Sequence, residues 1–245
     1  MTSLNIKYEN EKVETTFYKL LVAPKFTNWV KKVTSCPSTL ITDIVVTDVD
    51  WFCSPTNIDP NKLGFVKARV IGTDTSTGNA ISSVAFVRGS AVSVLLIVNV
   101  TGLTNTKYVL MCQQLRIPVG ERCFEAPAGM MDSSENISGV MIKEIQEETG
   151  LIVPNASMLM GLGSFYPSPG GCDEEIHLYA WETTVTSEKY AEMCSKVYGV
   201  ENENEAIKLH FYSMDDFERE LSNFKDAKVE IAYGRYLYNR FKVRM

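Results

Sequence analysis

Residues 129–151 read GMMDSSENISGVMIKEIQEETGL. A glycine opens the stretch, Glu135 follows alone, and then comes Lys143-Glu144-Ile145-Gln146-Glu147-Glu148-Thr149-Gly150-Leu151. Successive helical residues rotate by about 100°, so Glu144, Glu147 and Glu148, three and four positions apart, share a stripe. An apolar stripe of Met141, Ile142 and Ile145 runs beside it. Asn136 or Ser134 is placed to cap the helix and Gly150 to end it. Gly139 in its early part costs about 1 kcal/mol relative to Ala, without a sequence-level reason. Like charges at this spacing cost about 0.2–0.5 kcal/mol per pair. Charge runs ordinarily face water, but three carboxylates at the edge of a buried face make most sense if a divalent cation neutralises them. Mg²⁺ takes carboxylate oxygen and keeps positions for water and phosphate.

Outward from this stretch, Ser90–Val100 is an unbroken apolar run, expected at the centre of a sheet. Tyr108–Leu115, ending at Arg116, and then Glu121–Glu125 lead into Ala126-Pro127-Ala128, just before the helix. Further strands are expected at Leu159–Tyr166, Ile176–Trp181 and Ile207–Tyr212, the first two joined by the loop Pro167–Glu175. Helices are expected over Ser187–Tyr198, after Ser213 with Asp216 as a capping pair, and through Val229, Tyr233, Leu237 and Phe241. Upstream, residues 1 to about 16 are charged and carry no clear signal, and their order is left open. Tyr18–Val33 has the pattern of one amphipathic helix, and Ile41–Phe52, Leu63–Ile71 and Ile81–Val87 that of strands. This first third, residues 1–84, looks like a small antiparallel β unit that carries no chemistry, ahead of a domain over 85–245. Strands and helices alternate irregularly, as in an α+β layered protein.

Composition limits the functional classes. Of the 245 residues, 45% are hydrophobic, ample for a core. A net charge of −6, with no basic block, argues against nucleic acid as the main partner. The six cysteines form no Cys-x-x-Cys pair and no zinc spacing. Scattered in this way they suit reduced thiols of a cytoplasmic protein. The longest apolar run, Ala91–Val98, is far short of the roughly 20 residues a membrane helix needs, so no membrane partner is expected.

Gly129, Glu135, Glu144, Ile145, Glu147, Glu148, Gly150 and Leu151 fall on the fixed positions of the Nudix signature, and the stretch resembles that family. Lys143 stands where the family has arginine; it keeps the charge and loses the planar fork. The phrases Phe86-Val87-Arg88-Gly89, Gln114-Leu115-Arg116-Ile117-Pro118, Glu125-Ala126-Pro127-Ala128-Gly129 and Pro169-Gly170-Gly171-Cys172-Asp173-Glu174-Glu175 resemble its ADP-sugar pyrophosphatase branch, in particular the plant-type ADP-glucose/ADP-ribose diphosphatases. The resemblance implies a Nudix α/β/α sandwich with a mixed sheet, preceded by an N-terminal β domain that helps form a homodimer. It implies hydrolysis of a nucleoside diphosphate sugar to a nucleoside monophosphate and a sugar phosphate. UDP-sugars, or nucleotide binding without turnover, remain alternatives.

By the same resemblance, Glu144 and Glu148 are the principal metal ligands, with Glu147 sharing the site and the Ala128 carbonyl adding a further donor. Two or three Mg²⁺ or Mn²⁺ ions are expected with substrate bound. Glu174 matches the position of the catalytic base, and Glu175 is its rival. Arg116 is placed to pair with phosphate and Arg88 to approach the terminal sugar or phosphate; a plain ion pair is the alternative for each. Glu125 supports the turn or adds a carboxylate, and Glu135 orders the loop.

Overall fold

A computed structural model describes residues 4–103, 106–131, 136–200 and 205–242. The chain divides into two compact units, Met1–Ser90 with Tyr166–Glu175, and Ala91–Phe165 with Ile176–Met245.

The first unit begins earlier than its sequence suggests. Strand β1 (Asn5–Tyr8) and helix α1 (Glu11–Leu20) begin in the segment that carried no clear signal. The Asn10 side chain caps α1 by accepting the Val13 N–H at 3.1 Å, with Glu11 and Glu14 favourably placed in its first turn. The single helix expected over Tyr18–Val33 is two, because Pro24 disfavours helical geometry in the residue before it and starts α2 (Pro24–Thr34) afresh. Strands β2 (Thr39–Trp51), β3 (Leu63–Asp74) and β4 (Ala80–Val87) complete a sheet in the order β1-β2-β3-β4. It is not wholly antiparallel: β1 runs parallel to β2. Val13, Leu20, Phe26 and Trp29 of the helices bury one face against Ile44, Val46, Val66 and Ala68.

The second unit is built on β5 (Ala91–Val100). Around it lie β6 (Lys107–Arg116), β7 (Glu121–Glu125), β8 (Ala128–Met130), α3 (Ile137–Thr149) and β9 (Met160–Phe165). There follow β10 (Ile176–Val185), α4 (Ser187–Ser195), β11 (Val197–Tyr198), β12 (Ile207–Ser213), α5 (Met214–Glu220) and α6 (Ala227–Lys242). The sheet order is β11-β12-β6-β5-β10-β9, with β7 on β6 and β8 on β5. It is mixed: β10 runs parallel to β5, the other pairings being antiparallel.

The unbroken apolar run of β5 follows from burial on both faces. Val92, Val94, Leu96, Val98 and Val100 pack with Met141 and Ile145 of α3 and Met193 of α4. Ala91, Leu95 and Ile97 pack with Phe217 of α5 and Val229, Tyr233 and Tyr236 of α6. This is the expected α/β/α sandwich. Two helices differ in detail. The one expected to Tyr198 stops at Ser195, because Val197 and Tyr198 pair with β12 instead. In α6 the buried face takes Tyr236, while Phe241, on the i+4 series of Val229 and Tyr233, is exposed.

Candidate active site

The site is built where α3 covers β8. Asn136 caps α3, its Oδ1 accepting the Gly139 N–H at 3.0 Å. A Cβ on Gly139 would collide with the Asn136 amide, which accounts for the helix-weakening glycine there. Ser134, the other candidate cap, and Glu135 lie outside the described residues. At the far end Gly150 has φ +68° and its N–H bonds the Gln146 carbonyl at 2.9 Å. A side chain there would also meet Tyr198 at 2.7 Å.

Between these caps, Glu144 and Glu148 face the same strand. Glu148 is buried at 4% exposure; its Oε2 accepts the Ala128 N–H at 3.2 Å and lies 3.7 Å from the Cys112 Sγ. Glu144 reaches the next residue, its carboxyl group occupying the space a Cβ on Gly129 would need. Two carboxylates are therefore braced on consecutive residues, Ala128 and Gly129. Burial, and then the charges of Glu144 and Glu205, push Glu148 up to about 8. The Ala128 N–H and Arg116 oppose this without cancelling it. Cys112 beneath is pushed well up by burial and by Glu148, so its thiol stays protonated. Glu147 is half-buried, 3.3 Å from the Lys143 Nζ.

Among the described residues no three His, Cys, Asp or Glu side chains converge as a metal cage. The donor set nevertheless fits a hard divalent cation, since two mutually repelling carboxylates meet at one strand and one of them, Glu148, is buried with no counter-charge bonded to it among the described residues. Mg²⁺ is commonly held by one or two carboxylates, with water and substrate phosphate completing its shell.

Beside this pair, Arg116 at the end of β6 does not point into open space. Its Nε and Nη2 bond the Glu125 carboxylate at 2.6 and 3.2 Å. Glu125 is buried and also takes Lys228 Nζ at 3.1 Å, and Lys228 in turn lies 2.9 Å from Asp226. Burial pushes Glu125 up, but Arg116 and Lys228 outweigh it and hold the carboxylate below its usual value. Lys228 and Asp226 gave no sequence signal. Glu205 was readable only as one of a run of loop acids, yet its charge acts on Glu148, Cys112 and Arg116.

The remaining candidates, Arg88, Glu174 and Glu175, fall in the first unit as the chain divides. Arg88 Nε lies 3.2 Å from Glu174 Oε1, though not aligned for a hydrogen bond. Glu175 accepts the Tyr166 hydroxyl at 3.0 Å and sits 3.7 Å from Lys32 Nζ.

A mixed α/β/α sandwich whose strand–loop–helix presents paired carboxylates is the framework of a Nudix fold. A NUDIX domain model matches residues 88–232, more than half of the chain, and the chain belongs to this family; it is a Nudix hydrolase. It is 29% identical over 221 residues to Nudix hydrolase 14, chloroplastic, of Arabidopsis thaliana, covering 86% of this chain and 69% of the relative. It is 34% identical over 93 residues to the ADP-ribose pyrophosphatase of Bacillus subtilis, covering 38% of this chain and 49% of that enzyme. A crystal structure of an ADP compounds hydrolase matches its fold with a TM-score of 0.52 at 11% identity, covering 84% of this chain and 95% of that one. Nudix hydrolases generally depend on a divalent metal. No helix among the described residues is long and apolar enough to cross a membrane.

Proposed function

We propose that the protein hydrolyses the diphosphate bond of an ADP-sugar, ADP-ribose or ADP-glucose, to AMP and a sugar phosphate. The observation that carries this reading is the bracing of Glu144 and Glu148 on Gly129 and Ala128, two like charges brought together at one turn. The names of the relatives, two of which specify ADP compounds, support the choice of substrate class.

Glu144 and Glu148 would hold Mg²⁺ or Mn²⁺, two or three ions with substrate bound, and Glu147 and the Ala128 carbonyl would contribute to the same site. When bound, the metal neutralises the diphosphate and lowers the pKa of a water. Arg116 orients a phosphate oxygen through its guanidinium, sharing itself between that oxygen and Glu125. Glu174 accepts the proton of the attacking water, an assignment supported by its place in the Pro-Gly-Gly loop; Glu175, bonded to Tyr166, is the less suited of the two. Water adds to one phosphorus, the bridging P–O bond breaks, and the bridging oxygen leaves with the other phosphate.

The same reading takes the protein to be a homodimer of a reducing compartment such as the cytoplasm. All six cysteines are free, in keeping with the latter. The test is hydrolysis of ADP-ribose, ADP-glucose and UDP-glucose, each with Mg²⁺, Mn²⁺ or chelator. Chelator-sensitive release of AMP from an ADP-sugar is expected. Turnover of UDP-glucose alone would move the substrate class, and no turnover by a folded protein would leave a nucleotide-binding module.

A further inference from the structure

The loop of residues 166–175 carries Glu174, and specific bonds to the rest of the first unit hold it in place. Cys172 forms a parallel bridge with Phe86 of β4. The Phe86 N–H donates to the Gly171 carbonyl at 2.8 Å, and the Asp173 N–H donates to the Phe86 carbonyl at 3.3 Å. Beyond the bridge, one oxygen of Asp173 accepts two successive backbone amides, Arg88 N–H at 2.7 Å and Gly89 N–H at 3.1 Å. Gly89 has φ +82°, a left-handed conformation open to glycine, which lets neighbouring N–H groups converge on one anion.

At the loop's other edge the Tyr166 hydroxyl donates to Glu175 and accepts from Lys32 Nζ at 2.9 Å. Glu174 thus sits between two pinned neighbours, its own side chain only 14% exposed and 3.2 Å from Arg88. Side-chain packing does little for the loop's apex, since a Cβ on Gly170 or Gly171 would meet nothing within 4 Å. The polar anchors therefore set where Glu174 stands. A base displaced by about 1 Å loses on the order of 10²-fold in rate.

We propose that Asp173 is the positioning residue for Glu174: clamped by the Arg88 and Gly89 amides, it fixes the base. This rests on Glu174 being the base. Asp173 exchanges no proton with substrate in this role; it acts as a charged acceptor for two amides, a bond type stronger than its neutral counterpart.

The test combines hydrogen exchange with a mutant cycle, using ADP-ribose and Mg²⁺. In the substrate-free chain, Asp173→Ala is expected to speed exchange at the Arg88 and Gly89 amides about tenfold or more relative to β5, in line with the loss of a local anchor. Unchanged exchange would overturn the anchor whatever the enzyme does. In turnover, Asp173→Ala is expected to lower kcat about 10- to 100-fold with KM little changed. Asp173→Asn, which keeps the acceptor oxygen, is expected to recover most of that loss. The double variant Asp173→Ala/Glu174→Gln should be no slower than Glu174→Gln, because both changes strike one function. Multiplying effects, or failure of Asn to rescue, would overturn the proposal. If Glu174→Gln is slow while Asp173→Ala is not, Glu174 stands as base and the positioning role falls. If Glu174→Gln keeps its rate, the base assignment fails and takes this proposal with it.

Discussion

Glu144 presses its carboxyl group against the bare Cα of Gly129, in the space any larger residue at 129 would fill. The clash partner is the far end of a flexible side chain rather than backbone, and Gly129 is not among the positive-φ residues. Gly129→Ala therefore leaves the fold nearly intact and swings Glu144 away from Glu148. Turnover of ADP-ribose is expected to fall on the order of 10²-fold, as for a misplaced reacting group, with a melting temperature close to that of the parent. A large fall in melting temperature, or full activity, would show that Glu144 has no fixed place at this turn.

Glu148→Gln separates ligand from scaffold. The amide keeps an oxygen to accept the Ala128 N–H while removing a charge that burial and Glu144 disfavour. In chelator the variant is expected to be at least as stable as the parent. Mg²⁺ should raise the parent's melting temperature and not the variant's, because only a ligand that binds the folded state stabilises it. Turnover should be abolished. Equal Mg²⁺ stabilisation of both proteins would remove Glu148 from the metal site.

The sequence disclosed the α3 segment almost completely, because caps, acid spacing and apolar stripe all report on one local element. Asn136 and Gly150 act as its spacing suggests, and β5 is central because a run without polar alternation has two faces to bury. What failed was non-local. The Tyr198 main chain pairs with β12, and that ladder outweighs helical spacing in Tyr190, Cys194 and Tyr198. The pairing of Lys228 with Glu125 joins positions 103 apart, which no window of sequence connects. The order of residues 5–20 comes from burying Val13 and Leu20 against the first sheet, together with the Asn10 cap.

Away from the candidate site, α6 is tied to β10 through Glu182, which takes Lys107 Nζ at 2.5 Å, Arg240 Nη1 at 2.6 Å and the Tyr236 hydroxyl at 2.8 Å. Burial pushes its pKa up, but the Lys107 and Tyr236 bonds and the charges of Lys107 and Arg240 leave it lowered. A lowered folded-state pKa gives stability that is present above the unfolded value and lost as pH falls through the folded one. Glu182→Gln is expected to cost about 1 kcal/mol at neutral pH, modest because a third of the side chain is exposed. The difference from the parent should vanish in acid, below the lowered pKa. Urea melts of both proteins from pH 7 to pH 3 check this, and a gap that persists in acid would assign the cost to packing.

Arg116 serves two partners in the proposed reaction, and a double variant can tell them apart. Its guanidinium bonds Glu125 through two nitrogens, and Lys228 holds the same carboxylate from the other side. In that proposal Lys228 keeps the buried Glu125 paired while Arg116 turns partly toward a phosphate. Arg116→Ala should cost on the order of 1–3 kcal/mol of stability, the penalty for weakening a charged buried acceptor. It should also raise KM for ADP-ribose. Adding Glu125→Gln removes the charge that was left under-paired, so the double variant should recover stability while KM stays high. If KM recovers along with stability, Arg116 acts only by holding Glu125, and the phosphate contact must be sought elsewhere.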